Sequence, residues 1–119
     1  MLFSFLGLFS CKAQNDLTTE EFAKALTPST RLIDVRTADE YAAGHLEGAV
    51  NIDWYDSAFI DAIKKEYDTA EPLYVYCRSG RRSAEAAKAL TKEGYTVYNM
   101  LGGFLAWTKE SRQVVKEEK

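Results

Sequence analysis

The chain has 119 residues, of which 46% are hydrophobic and 28% are charged, and its formal net charge is -3. This length is enough for one domain with a core of its own. The acidic balance excludes a nucleic-acid-binding protein that relies on bulk positive charge, so any anion site must be local. No apolar run reaches the roughly 18 residues of a transmembrane helix. One histidine and two well-separated cysteines give no cluster of metal ligands, and we expect no metal and no cofactor.

The first ten residues are mostly apolar, and polar residues follow directly after Cys11. This pattern is typical of the hydrophobic region of a secretory signal, and residues 8–11 resemble the lipobox of bacterial lipoproteins. The resemblance implies a protein exported to the periplasm or anchored to a membrane through lipid on Cys11, with a cytoplasmic protein as the alternative. We therefore divide the chain into a signal and linker (1–15), a folded domain (16–112) and a charged tail (113–119) that we expect to fray.

Helix and strand patterns alternate along the folded domain. Thr18 with Glu21, and Thr37 with Glu40, form capping boxes that begin two helices, and Gly44 ends the second. Asp56 is the predicted N-cap of a third helix. Two further helices are predicted from about residue 82 and after the Gly-Gly pair, and the short apolar runs predict strands at 31–35, 49–52, 73–77 and 96–100. Short strands separated by helices predict an α/β three-layer sandwich, with a mostly parallel sheet of about five strands.

Cys77 is the last residue of a predicted strand and comes before a short turn and a helix. The carboxyl ends of parallel strands form the edge at which open α/β folds bind ligands. Gly80 permits a tight turn, and the unpaired N–H groups of the turn and of the helix N-terminus would stabilise a thiolate. Arg78 and Arg81 would bind a small oxyanion such as thiosulfate or a phosphate ester. The pattern therefore favours an activated nucleophile over an inert buried cysteine.

The length of the turn separates two kinds of chemistry. Cysteine-dependent phosphatases have the spacing C-x5-R, whereas Cys77 and Arg82 have the spacing C-x4-R. A ring of amides that is one residue shorter is too tight for a phosphoryl group but suits the terminal sulfur of a persulfide. The spacing favours sulfur transfer and leaves a phosphatase or an oxyanion reductase as the alternative.

Four motifs, in order, resemble those of single-domain rhodaneses. They are LIDVR (32–36), EYAAGHLEGAVNI (40–52), YCRSGRRS (76–83) and NMLGGFLAW (99–107). The resemblance implies a rhodanese-like fold and a sulfurtransferase that moves a sulfane sulfur from a thiosulfate-like donor to cyanide or a thiol. A sulfur carrier or partner-docking module without turnover is the alternative from a different class. We expect a monomer.

The resemblance also implies a role for each matched residue. Cys77 would carry the persulfide, and the loop that holds it would consist of Arg78, Ser79, Gly80, Arg81 and Arg82. Asp34, Arg36 and Glu40 would be structural, with Glu40 or Asp34 paired to an arginine of the loop.

The remaining candidates are assigned from their surroundings in the sequence. His45, in a glycine-rich turn, is expected to bond backbone rather than to act as a base. Phe104 and Trp107 are expected to pack over the sheet. Trp54 and Tyr55 lie in the connection after the second predicted strand, and the sequence does not decide whether they border the pocket.

Overall fold

The computed structural model describes residues 15–117. The apolar segment and the lipidation site predicted at Cys11 lie outside the described residues. The elements in chain order are β1 (Asp16–Leu17), α1 (Thr19–Ala25), β2 (Arg31–Asp34), α2 (Ala38–Ala43), β3 (Val50–Asn51), α3 (Phe59–Glu66), β4 (Leu73–Tyr76), α4 (Arg81–Lys92), β5 (Val97–Met100) and α5 (Gly103–Lys109). Within residues 15–117, none of the helices has the length and apolar character to cross a bilayer.

The five strands form one sheet in the order β1-β5-β4-β2-β3, and the neighbouring strands run parallel. β4 is the central strand, with β5 on one side and β2 on the other. Its register with β2 places Val75 beside Ile33 and Tyr76 beside Asp34. The residues that directly follow β4 and β2 therefore lie together at one edge of the sheet, as the sequence predicts.

Alternating side chains of the strands cover two opposite faces of the sheet. On one face, Ile33 and Val75 share a buried cluster with residues of α3 and α4, namely Phe59, Ile63, Ala86 and Leu90. On the other face, Leu32 and Tyr76 share a cluster with residues of α1 and α5, namely Phe22 and Trp107. The predicted three-layer architecture is confirmed, and Cys77 belongs to the α3/α4 side.

Helix ends follow the sequence in two cases and depart from it in one. Both predicted capping boxes are present, at Thr18 and at Thr37. α3, however, begins at Phe59 with Ala58 before it and has no side-chain cap. The Asp56 carboxylate instead accepts a hydrogen bond from the Ala58 N–H at 2.9 Å, so Asp56 shapes the turn before the helix.

The predicted fraying of the tail is wrong as far as residue 117. Residues 112–117 turn back against the segment that follows α2. The Val115 carbonyl accepts from the His45 N–H at 2.8 Å, and the Val115 N–H donates to the His45 carbonyl at 2.9 Å. The Trp107 indole N–H donates to the Gln113 carbonyl at 2.8 Å. These bonds tie the tail to the domain in spite of its charged composition.

Candidate active site

The Cys77 side chain lies directly after the central strand and is fully buried. Its Sγ accepts a hydrogen bond from the Gly80 N–H at 3.1 Å and one from the Ser83 hydroxyl at 3.4 Å. Among residues 15–117, these two groups are the donors to Sγ, so the ring of amides expected from the sequence contributes one N–H to the sulfur itself. Because Sγ is buried, a sulfur donor reaches it only when the surrounding side chains move.

Gly80 shapes the loop between β4 and α4. Its φ is 102°, in the left-handed region that glycine adopts without strain, and it is the N-cap residue of α4. This conformation turns its N–H toward Sγ and brings the N-terminus of α4 beside the sulfur. The partial positive charge of the helix N-terminus then favours a negative charge on Sγ.

The N-terminus of α5 holds the same loop from the other side. The Phe104 N–H donates to the Cys77 carbonyl at 2.8 Å, and the Leu105 N–H donates to the Arg78 carbonyl at 3.0 Å. A Cβ atom on Gly103 would lie 2.5 Å from the Arg78 carbonyl oxygen, closer than real contacts allow. The Gly-Gly pair thus lets a second helix approach the loop backbone, a contact that the sequence does not predict.

The three arginines that follow Cys77 divide into two kinds, and only Arg78 lies in the loop, since Arg81 and Arg82, predicted as loop residues, begin α4. Arg78 and Arg81 are exposed, and neither makes an ion pair with any residue of 15–117. Arg82 donates to both carboxylate oxygens of Glu40, at 2.8 and 3.0 Å, and its guanidinium lies 5.6 Å from the centre of the Tyr55 ring. Asp34 and Glu40 are the two predicted acidic partners of an arginine in this segment, and Glu40 is the one that pairs with it. Arg78 and Arg81 keep their charges available for an anion.

Asp34 pairs with Arg36 instead of with the loop. The Arg36 guanidinium donates to Asp34 through Nε at 3.0 Å and through Nη2 at 2.7 Å, and also to the Gly44 carbonyl at 2.6 Å. Both side chains are buried, and the guanidinium lies 4.2 Å from the centre of the Phe104 ring. Burial alone would lower the pKa of Arg36, but the hydrogen bonds and charge of Asp34 raise it above its ordinary value. Through the Arg36 guanidinium, the ion pair therefore packs against the Phe104 ring, directly after Gly103.

The pairing of Glu40 with Arg82 makes stability depend on pH. The hydrogen bond from Arg82, with smaller contributions from Thr37, lowers the pKa of Glu40 to about 2. A carboxyl group with a depressed pKa stabilises the fold above its unfolded pKa, and this contribution is lost as pH falls from about 4.5 to about 2. We expect Glu40→Gln to lower the free energy of unfolding by up to about 3 kcal/mol at pH 7 and by little at pH 2.

Denaturant unfolding of both proteins between pH 2 and pH 7 measures this difference. Gln still satisfies a capping box, so the substitution removes the charge and keeps the helix cap. In an Arg82→Gln background the same change should lose most of its pH dependence. A difference that is constant with pH in the wild-type background would contradict the prediction.

The other predicted residues lie around this site rather than in it. His45 bonds backbone as expected, with Nδ1 2.8 Å from the Tyr41 carbonyl oxygen, and its ring stacks on Tyr41. Trp107 and Phe104 pack over the sheet, also as expected. Trp54 packs against the α3/α4 core and contacts Phe59, whereas Tyr55 is exposed beside Arg82. Tyr55 is therefore the one of the pair that lies next to the loop.

One cavity of the domain lies away from the cysteine. A cavity of about 540 Å³ lies next to α1 and the end of α5 and is lined in part by Leu26, Leu46 and Trp107. Neither Cys77 nor its loop lines it. Residues 15–117 contain no group of three or more side chains that could hold a metal ion. The groups gathered around the sulfur are therefore Gly80 and Ser83, which donate to it, and the arginines that follow it in the chain.

Known proteins share this sequence and fold. A family model of the rhodanese-like domain matches residues 18–110. The Bacillus subtilis (strain 168) protein YqhL is 39% identical over 101 residues, covering 84% of this chain and 77% of that protein. Thiosulfate sulfurtransferase 18 of Arabidopsis thaliana is 36% identical over 109 residues, covering 81% and 80%. The crystal structure of a rhodanese-like domain protein from Staphylococcus aureus superposes with a TM-score of 0.75 at 26% identity, covering 87% of this chain and 99% of that chain. The predicted rhodanese-like fold is confirmed, and the chain belongs to the rhodanese-like domain family.

Proposed function

We propose that this protein is a sulfurtransferase that accepts a sulfane sulfur from thiosulfate or a related donor and carries it as a persulfide on Cys77. The observation that supports this most directly is the position of Sγ, which lies beside the N-terminus of α4 and accepts from the Gly80 N–H. A sulfur anion is stabilised by such a donor and by the positive end of a helix. The sulfurtransferase relative from A. thaliana supports the same class of reaction.

The arginines that follow Cys77 support an anionic donor. Arg78 and Arg81 are exposed next to Cys77, while the charge of Arg82 is balanced by Glu40. Guanidinium groups bind the oxygens of a small oxyanion in a forked geometry. Bound in this way, thiosulfate presents its outer sulfur to the Cys77 thiolate. A bond forms between Sγ and that sulfur, the S–S bond of thiosulfate breaks, and sulfite leaves with the electron pair.

The second half of the cycle returns the enzyme to its starting state. Cyanide or a thiolate attacks the outer sulfur of the persulfide, and the S–S bond to Sγ breaks. The electron pair of that bond stays on Sγ, which becomes a thiolate again. A well-stabilised thiolate leaves faster than a poorly stabilised one, so groups that stabilise negative charge on Sγ assist this step.

A mass measurement tests the proposal. Incubation of the whole protein with thiosulfate should add about 32 Da, one sulfur atom captured by the nucleophile, and cyanide should remove it with formation of thiocyanate. Peptide mapping should place the added mass on Cys77. Cys77→Ser should show no added mass, because a serine hydroxyl is not ionised at neutral pH, while the matched variant Cys11→Ser should behave like the wild type. A folded wild-type protein that gains no sulfur would overturn the proposal.

The burial of Cys77 favours one alternative that the same experiment resolves. A sulfur that solvent does not reach in the resting conformation could be loaded once and then released only to a particular partner, as in a sulfur carrier. Repeated turnover with thiosulfate and cyanide supports the enzyme. A single loading event without turnover would support the carrier.

A further inference from the structure

Ser83 is the one side chain among residues 15–117 that donates a hydrogen bond to Cys77 Sγ. It lies in the first turn of α4 and is fully buried, so its hydroxyl contacts the sulfur from inside the protein. The hydroxyl oxygen is 3.4 Å from Sγ and 3.3 Å from the Gly80 carbonyl oxygen. A hydroxyl has one hydrogen to donate. Ser83 can therefore serve either the sulfur or the carbonyl, and the stronger acceptor receives the bond.

The charge on Sγ decides which acceptor is stronger. In the free thiolate the negative charge is on Sγ, and a hydrogen bond to a charged acceptor is roughly twice as strong as one between neutral groups. In the persulfide the charge moves to the outer sulfur, one S–S bond of about 2.05 Å farther from Sγ. The buried hydroxyl then has a neutral Sγ on one side and the Gly80 carbonyl on the other. The hydrogen bond from Ser83 is thus worth more in the empty enzyme than in the loaded one.

We infer that Ser83 is the catalytic hydrogen-bond donor that stabilises Cys77 as the leaving thiolate when sulfur passes to the acceptor. This inference rests on the proposed sulfur transfer. As the acceptor attacks the outer sulfur, the S–S bond breaks and the electron pair collects on Sγ, where the Ser83 hydrogen bond strengthens. In the loaded state the hydroxyl donates to the Gly80 carbonyl, so its own bonding potential stays satisfied.

Separate rate measurements for the two half-reactions test this role. Rapid mixing gives one rate constant for loading from thiosulfate and a second for discharge of the loaded protein to cyanide. Both are measured at a pH where the wild-type rates no longer change. We expect Ser83→Ala to slow discharge by about tenfold, as the loss of a hydrogen bond to a charged group predicts. Loading should be unchanged or slightly faster, because a less stabilised thiolate is the more reactive nucleophile.

Two further variants serve as controls. Thr91→Ala removes a hydroxyl from the same helix that donates to the Ala87 carbonyl instead of to sulfur, and both of its rate constants should match the wild type. Ser83→Thr keeps the hydroxyl and should keep the wild-type ratio of discharge to loading. Thermal unfolding of each variant confirms that the rates are those of folded protein.

The outcomes separate this inference from the function on which it rests. Slower discharge with intact loading supports the role of Ser83. Equal slowing of both half-reactions in Ser83→Ala, or an unchanged ratio of the two, overturns that role while leaving sulfur transfer in place. A wild-type protein that never gains sulfur overturns both.

Discussion

Asp34→Ala is expected to lower the free energy of unfolding by about 3–5 kcal/mol, since it leaves a buried guanidinium without its counter-charge. Arg36 is 3% exposed and Asp34 is not exposed at all, so water cannot replace the carboxylate unless the structure opens. After the substitution, the Gly44 carbonyl is the hydrogen-bond acceptor that remains to the Arg36 guanidinium among residues 15–117. Denaturant unfolding at neutral pH measures the loss.

Two variants show whether the buried charge is the cause. Asp68→Ala removes the partner of Arg31, but that carboxylate is mostly exposed, so its effect should be much smaller. The double variant Asp34→Ala/Arg36→Met removes both charges and should recover part of the lost stability, because a buried ion pair contributes little beyond its apolar replacement. If the double variant is as unstable as the single one, the loss comes from packing and the explanation fails.

Gly103→Ala is expected to disrupt the active-site loop and to slow sulfur loading by at least about tenfold, because a misplaced reactive group loses most of its advantage from proximity. The added Cβ would lie 2.5 Å from the Arg78 carbonyl oxygen and 2.6 Å from that of Cys77, so the loop or α5 must move. Movement of either breaks the hydrogen bonds that α5 donates to the two carbonyls. The loading rate and the thermal unfolding temperature are the two measurements.

Gly48→Ala provides a matched control for backbone strain. Gly48 also has a positive φ, of 86°, but an added Cβ would meet no atom within 4 Å. This variant should lose only about 1–2 kcal/mol of stability, the usual cost of a left-handed alanine, and should load sulfur normally. A Gly103→Ala protein that loads sulfur as fast as Gly48→Ala would show that close approach of α5 is not needed.

The sequence predicts the layers of this fold well because its signals are local. The capping boxes at Thr18 and Thr37 need only residues three positions apart. The sequence does not predict β1, since two residues carry no periodicity and Asp16–Leu17 forms a strand through its pairing with β5. The strand therefore depends on contacts more than 80 positions away in the chain.

The candidate site shows the same division between local and distant information. The sequence places Cys77 at the end of the central strand, because an apolar and aromatic run, a glycine and a helix pattern are adjacent there. It does not decide whether Asp34 or Glu40 binds a loop arginine, since Glu40 and Arg82 are 42 positions apart. The hydrogen bond from Ser83 to Sγ depends on how tightly the loop turns, which residue types alone do not specify.

The two hydrogen bonds from α5 to the carbonyls of Cys77 and Arg78 have a consequence for the energetics of binding. They fix the direction of two successive peptide groups before any ligand arrives, so the entropy of ordering that backbone is lost during folding rather than during each encounter. A ligand of this loop would therefore meet backbone that is already ordered. The rearrangement that exposes the buried sulfur then falls to the side chains around it rather than to this backbone.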